Sequence, residues 1–329
     1  MNWNNKTALV TGAGGFIGSQ LVEALLAEGA RVRAFVRYNS RGDPGLLRLL
    51  PAELAARLEI VPGDLRDFRA LLASARDCDL VFHLGALISI PYSYRHPHEV
   101  AETNFMGTLN ILSACRELGT PRLVHTSTSE VYGTALHTPM DESHPLQGQS
   151  PYSASKIGAD KLAESFYLAY NLPVVTVRPF NTFGPRQSAR AVIPAIVTQA
   201  LTRDLIRLGN VDTTRDFTFV SDTVAGFMAA ASAEGAEGGV FNLGTGVEIR
   251  VGDIAQKAAE KIGRPIRIEV EAQRLRPEKS EVLRLVSDNR LAREKLQWTP
   301  RVAFDDGLEK TIAWIRDHLD LYTPGRYEF

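Results

Sequence analysis

Cysteine is nearly missing from this chain. Only Cys78 and Cys115 occur in 329 residues, and they are far apart in sequence. That excludes a disulfide scaffold and a cysteine zinc site, and it makes a reducing compartment the expectation. An excess of one charge is also lacking. The 37 Lys and Arg nearly balance the 38 Asp and Glu, for a net charge of −1. Nothing here attracts a polyanion in general, so nucleic acid is not an expected partner. No apolar run approaches about 18 residues, so no membrane span is expected. Met1-Asn-Trp-Asn-Asn-Lys6 is polar and leads into a strand, so no signal peptide is expected, and a cytoplasmic location follows. The seven histidines show no metal-ligand spacing, His96-Pro-His98 reading as an exposed loop, and no metal is expected. Internal repeats, low-complexity tracts and a clear linker are absent too.

What remains is a globular composition, 44% hydrophobic and 23% charged, on a chain long enough for about two domains. Thr7-Ala-Leu-Val-Thr11 reads as a buried strand. Gly12-Ala-Gly-Gly15-Phe16-Ile17-Gly18 follows, and then a helix closed by Gly29. Strand, glycine turn and helix together form the context of a dinucleotide-binding fingerprint. Gly12 allows the tight turn, Gly15 lets backbone amides approach a pyrophosphate, and Gly18 lets the helix pack on the strand. The helix N-terminus supplies positive dipole charge.

The second strand, Arg31–Val36, ends in Arg37-Tyr38 rather than the Asp or Glu that usually meets an NAD ribose. Arg37 suits a 2′-phosphate, which leans toward NADP; it equally suits a solvated place beside NAD. Strand three, Leu58–Pro62, leads to Gly63-Asp64-Leu65. Asp64 stands where it reaches an adenine amino group or the cap region of the next helix. Strand four, Leu80–Leu84, ends in the small residues Gly85-Ala86, which leave room for a cofactor. Residues 87–98 read as a loop and Pro97–Leu118 as one helix.

Strand five, Arg122–Ser127, delivers Thr128, Ser129 and Glu130 to the carboxyl edge, where open α/β sheets bind ligands. The helix Tyr152–Asn171 follows, then strand six, Val174–Pro179. This βα rhythm predicts an α/β fold, a doubly wound parallel Rossmann sheet over residues 1–180, with 221–245 rejoining it. Residues 181–329 read mainly as a smaller, interleaved α/β substrate-capping domain. Residues 181–187 read as a loop at its start.

Tyr152 and Lys156 are four apart, so they share one helical face. An ammonium beside a phenol is expected to lower the tyrosine pKa from about 10. Such a tyrosine takes a proton from a sugar hydroxyl.

Gly12/Gly15/Gly18, Asp64-Leu65, Thr128/Glu130 and Tyr152/Lys156, in that order, resemble the extended short-chain dehydrogenase/reductase family. The resemblance is to its nucleotide-sugar epimerases and dehydratases, and it spans essentially the whole chain. It implies bound NAD or NADP, with Phe16, Ile17, Leu84 and the residues above around it, a nucleotide-diphosphate sugar as substrate, and a homodimer through 97–118 and 152–171. Arg178-Pro-Phe-Asn181-Thr-Phe-Gly-Pro185, Arg215-Asp-Phe-Thr-Phe-Val220 and Phe241-Asn-Leu-Gly244-Thr-Gly246 resemble the family's substrate-side signatures.

Within the family, Thr128-Ser129-Glu130-Val-Tyr-Gly has the form found in 4,6-dehydratases. The chemistry explains the carboxylate. Oxidation at carbon 4 makes the carbon-5 proton acidic, and a base must remove it. Ser129 stands where many members carry an Asp that protonates the leaving 6-hydroxyl. Decarboxylases also carry Ser-Thr-Ser-Glu, so a 4-epimerase or a decarboxylase stays open, as does, more remotely, a non-catalytic dinucleotide sensor. The strings 83–94, 150–156, 184–194 and 276–282 resemble the legionaminic-acid-pathway dehydratases, which act on nucleotide-linked N-acetylglucosamine. Ser89, Asn181, Arg190, Val192, Arg215 and Arg276 are the substrate-side candidates, the arginines because their planar fork suits phosphate.

Overall fold

Every residue of Thr7–Thr11 (β1) after Thr7 is buried, the mark of a parallel strand covered on both faces. Alternation sends Ala8 and Val10 to one core and Leu9 to the other. The computed structural model describes residues 1–327. After β1 come α1 (Phe16–Ala27), β2 (Arg31–Arg37), β3 (Leu58–Gly63), α2 (Phe68–Ala75), β4 (Leu80–His83) and α3 (Ile90–Arg95). Then follow α4 (Pro97–Ala101), α5 (Gly107–Leu118), β5 (Leu123–Thr126), α6 (Pro151–Tyr170) and β6 (Val174–Pro179). The rest of the chain adds β7 (Asn181–Phe183), α7 (Val192–Thr202), β8 (Leu205–Leu208), β9 (Thr214–Phe219), α8 (Val220–Ser232) and β10 (Val240–Leu243). It closes with β11 (Glu248–Arg250), α9 (Val251–Ile262), β12 (Arg267–Val270), β13 (Arg284–Leu285), α10 (Arg290–Leu296) and α11 (Phe304–Asp317).

Seven strands form one parallel sheet in the order β10-β6-β5-β4-β1-β2-β3. This is the doubly wound Rossmann arrangement, and its order reverses between β1 and β4. Ligands of such sheets bind at the carboxyl ends of the strands flanking that reversal. One face is covered by α1 and α8 through Leu21, Leu25 and Phe227; the other by α2, α5 and α6 through Leu71, Ile111, Leu112 and Phe166.

Outside the large sheet, β9 pairs with β11, β13 and β7, and β8 pairs with β12. The buried Asp216 carboxylate fastens this smaller unit. It accepts from the Thr245, Gly246 and Ser287 amides at 2.8, 2.8 and 3.1 Å and from the Thr245 hydroxyl at 2.6 Å. Ionic acceptors of several amides hold a loop strongly.

Four readings need correction. Residues 87–98 contain the helix α3, because the Ser89 hydroxyl caps it by accepting the Tyr92 amide at 3.3 Å. The single helix 97–118 is interrupted by a π-helical turn at Glu102–Met106. There Asn104, buried, accepts the Leu87 amide at 2.8 Å and donates to the Leu87 carbonyl and the Ser155 hydroxyl at 3.0 and 2.9 Å. π-turns of this kind concentrate at functional sites. The segment 181–187 begins as a strand, β7. The helix read as 152–171 starts one residue earlier, behind a Ser150–Ser153 capping box, and ends before Asn171, which is left-handed at φ 53°. Among the described residues, no helix is long and apolar enough to cross a membrane, and no His, Cys, Asp or Glu cluster is arranged to hold a metal.

Candidate active site

The glycine turn is built so that side chains cannot enter it. Gly12 has φ +69°, and a Cβ there would lie 2.8 Å from the Gly85 amide nitrogen. A Cβ on Gly18 would lie 2.2 Å from the Gly12 carbonyl oxygen. Helix α1 starts at Phe16 and Ile17 behind Gly15, with no side-chain cap and no acidic residue in its first turn. Its positive end is therefore left for an anion. On the neighbouring strand the Gly85 amide donates to the Thr11 hydroxyl at 3.0 Å. That holds Leu84-Gly85-Ala86 against the turn, with Leu65 packed on Gly85. This cradle fits a dinucleotide pyrophosphate: its donors are backbone amides and its floor is glycine.

The adenosine side is less committed. Arg37 ends β2, lies 3.4 Å from Glu99, and is 68% exposed. Asp64 is engaged by Arg66, whose guanidinium hydrogen bond holds the carboxyl down at about 2. Of its two suggested roles, capping the next helix is overturned. That cap is Asp67, which accepts the Arg69 and Ala70 amides.

Strand β5 and helix α6 converge over this cradle. Thr128 caps a short 3-10 turn, Ser129–Tyr132, by accepting the Glu130 amide at 3.2 Å. Ser129 is buried in that turn. Tyr152 and Lys156 are buried at the start of α6. Burial pushes the Tyr152 phenol well above its ordinary pKa; the Thr128 hydroxyl opposes this, and the Glu130 charge adds to it. The expected lowering by Lys156 is corrected here. Sharing a helix face is not sharing a hydrogen bond: the Lys156 ammonium donates to the Thr126 carbonyl at 2.6 Å. Its own burial draws it down to about 8, with Asp160 pulling the other way.

A layer that the sequence reading missed lies behind this pair. Asp160, one helical turn past Lys156, accepts from His125 Nε2 at 3.1 Å and Ser127 Oγ at 2.8 Å. It also accepts from Arg178 Nε at 3.2 Å and Nη2 at 3.0 Å. Burial opposes the charge on Asp160, but the His125 hydrogen bond and the Arg178 and Lys156 charges outweigh it and lower its pKa. Removing one partner of such a buried pair typically costs about 3–5 kcal/mol. Arg178 opens the string 178–185, which resembles a substrate-side signature of the family. The structure corrects this, turning it inward from β6 beneath the site. The available signals were an Asp on the buried face of α6 and an Arg inside an apolar strand.

Among the substrate candidates read from the sequence, Arg215 Nη2 lies 3.5 Å from Glu281 Oε1. Arg276 Nη1 lies 3.7 Å from Glu130 Oε1 and 3.8 Å from Glu281 Oε1. Two arginines and two glutamates thus meet, and Arg276 Nη1 is buried with no hydrogen-bond partner among the described residues. Glu281 was not among the sequence candidates. Asn181 lies on β7, half-buried. Arg190 is exposed, with Nε 3.2 Å from Ser188 Oγ, and Val192 opens α7. Neither Arg190 nor Val192 joins the arginine–glutamate cluster, and the Ser89 hydroxyl oxygen caps α3.

The family model for GDP-mannose 4,6 dehydratase matches residues 9–311. A UDP-glucose 4-epimerase of Mycolicibacterium smegmatis is 36% identical, over 94% of this chain and 98% of the relative. A dTDP-glucose 4,6-dehydratase of an Actinoplanes species is 33% identical, over 96% and 99%. The solved DesIV double mutant, a dTDP-glucose 4,6-dehydratase of Streptomyces venezuelae with NAD bound, has a TM-score of 0.87 and 30% identity, over 96% and 98%. With the glycine cradle, the tyrosine–lysine pair and this match along nearly the whole length, the chain belongs to the nucleotide-sugar 4,6-dehydratase and epimerase family of extended short-chain dehydrogenases/reductases.

Proposed function

We propose that this protein is a nucleotide-sugar 4,6-dehydratase, a hydro-lyase that holds NAD or NADP and acts on a nucleotide-linked hexose. The observation that carries this reading is the Glu130 carboxylate, held on the 3-10 turn that Thr128 caps and 3.7 Å from the Arg276 guanidinium. An elimination needs a base there, and a 4-epimerisation does not. N-acetylglucosamine as the hexose rests on the motif resemblance alone. A homodimer and a cytoplasmic location belong to the same reading. A second reading, 4-epimerase, is favoured by the 36% identical relative.

In the proposed mechanism, Tyr152 takes the proton of the 4-hydroxyl while Thr128 holds the 4-oxygen. A dinucleotide held by the Gly12–Gly18 cradle would supply the hydride chemistry, a carrier for the carbon-4 hydride that ends on carbon 6. Glu130 removes the carbon-5 proton beside the new ketone, and the 6-hydroxyl leaves as water. Ser129 orients that hydroxyl, protonated Glu130 supplies the acid, and carbon 5 takes a proton from solvent as carbon 6 is reduced. Lys156, anchored on the Thr126 carbonyl, would hold the cofactor ribose. Arg215 and Arg276 receive the diphosphate, which suits two guanidinium forks. Gly12, Gly15, Gly18, Asp64 and Arg37 hold the dinucleotide.

The decisive experiment incubates the enzyme with uridine, guanosine, thymidine and cytidine diphosphate sugars and reads product mass. Loss of one water supports the dehydratase. An unchanged mass with inversion at carbon 4 supports the epimerase and defeats the first reading.

The rate should also depend on alkaline pH. Lys156 acts as a cation, and its folded pKa lies near 8 rather than 10.5. Charge is present below that value and lost as pH rises through it. Turnover is therefore expected to fall above about pH 8, and Lys156→Ala should abolish that limb along with most activity.

A further inference from the structure

Arg178 joins two elements that the proposed reaction uses separately. Through Nε and Nη2 it grips Asp160 on α6, the helix that presents Tyr152 and Lys156. Through Nη1 it donates to the Tyr132 hydroxyl at 2.9 Å, and its guanidinium lies 4.9 Å from the centre of the Tyr132 ring. Tyr132 ends the 3-10 turn that begins behind Thr128 and carries Glu130. Its hydroxyl passes the hydrogen bond on to Asn242 Oδ1 at 2.7 Å, on β10. Tyr132, Asp160, Arg178 and Asn242 are all buried.

We propose that Arg178 is a positioning residue that sets the placement of the proton-abstracting turn Ser129–Tyr132 relative to the Tyr152–Lys156 pair, with Tyr132 and Asp160 as its two handles. A planar, always-charged fork suits this task, because it binds a carboxylate with two donors and still has a third for a hydroxyl. Catalytic groups need placement within a fraction of an ångström, and that placement comes from the layer behind them. The proposal rests on the dehydratase reading for the step it names, carbon-5 proton removal, but its test is arranged so that the two fail separately.

Tyr132→Phe keeps the ring and the stacking and removes only the hydroxyl. In single turnovers of wild type and Tyr132→Phe, carbon-4 hydride transfer is followed by cofactor absorbance and carbon-5 proton loss by deuterium incorporation. Hydride transfer should hold within about twofold and KM should not change, while carbon-5 exchange should fall about tenfold or more. Equal losses in the two steps, or no loss in either, overturn the proposal. A merely structural role would lower both together.

A second arm combines Tyr132→Phe with Asp160→Asn in a double-mutant cycle, or with Ser127→Ala if Asp160→Asn does not fold. If both handles act through Arg178, the double variant should lose no more than the worse single one, within about threefold; losses that multiply overturn the proposal. The cycle is read on whichever turnover occurs, water loss or carbon-4 inversion. Wild-type product thus judges the dehydratase reading, and additivity judges Arg178.

Discussion

Tyr152→Phe is expected to lower turnover of the nucleotide-sugar substrate by about a thousandfold, within the range removed with a general acid–base group, while leaving substrate affinity nearly unchanged. The ring is buried with Ile90 and Val100, so phenylalanine keeps the packing and deletes only the oxygen. Without that oxygen the 4-hydroxyl loses its proposed proton acceptor, and Lys156, an ammonium donating to the Thr126 carbonyl, does not replace it. The check is steady-state kcat and KM together with a thermal melt. A loss of less than about tenfold, with an unchanged melt, would move the acid–base role to another group.

Glu130→Gln should separate the two halves of the reaction. The amide keeps the size and cannot accept a proton. Carbon-4 oxidation should persist as a cofactor absorbance change, while deuterium uptake at carbon 5 falls by about a hundredfold or more. Since the Glu130 charge is also a partner of Arg276 at 3.7 Å, substrate affinity should rise slightly if anything, because one competitor for that guanidinium is gone. Unchanged deuterium uptake would remove Glu130 from the proposed mechanism.

Much of this architecture was legible in the residues. Thr7–Thr11 followed by three spaced glycines announced the cradle, because only one chain geometry needs a strand, a bare turn and a helix start together. Tyr152 and Lys156 were legible because helical spacing guarantees a shared face. What spacing could not reveal is which partner each side chain chooses. Lys156 turned to a backbone carbonyl, and Tyr152 answered to burial rather than to its neighbour. Arg178 looked like a substrate residue within a familiar string. Only the tertiary meeting of β6, α6 and the Ser129–Tyr132 turn shows that it faces inward. Glu281 and Asn104 carried no local signal, since Arg215 lies 66 residues from Glu281 and Ser155 lies 51 residues from Asn104, and only folding brings each pair together.

The π-turn at Glu102–Met106 has a bearing on insertions and deletions. Each residue of an α-helix advances it by about 100° around its axis. Deleting one residue there would heal the helix into regular form and swing α4 about the axis of α5. Asn104 would then leave Leu87 and Ser155, the latter seated between Tyr152 and Lys156. A length change far from the tyrosine motif would thus act as a rotation at the reacting centre, and length in this stretch is as constrained as composition.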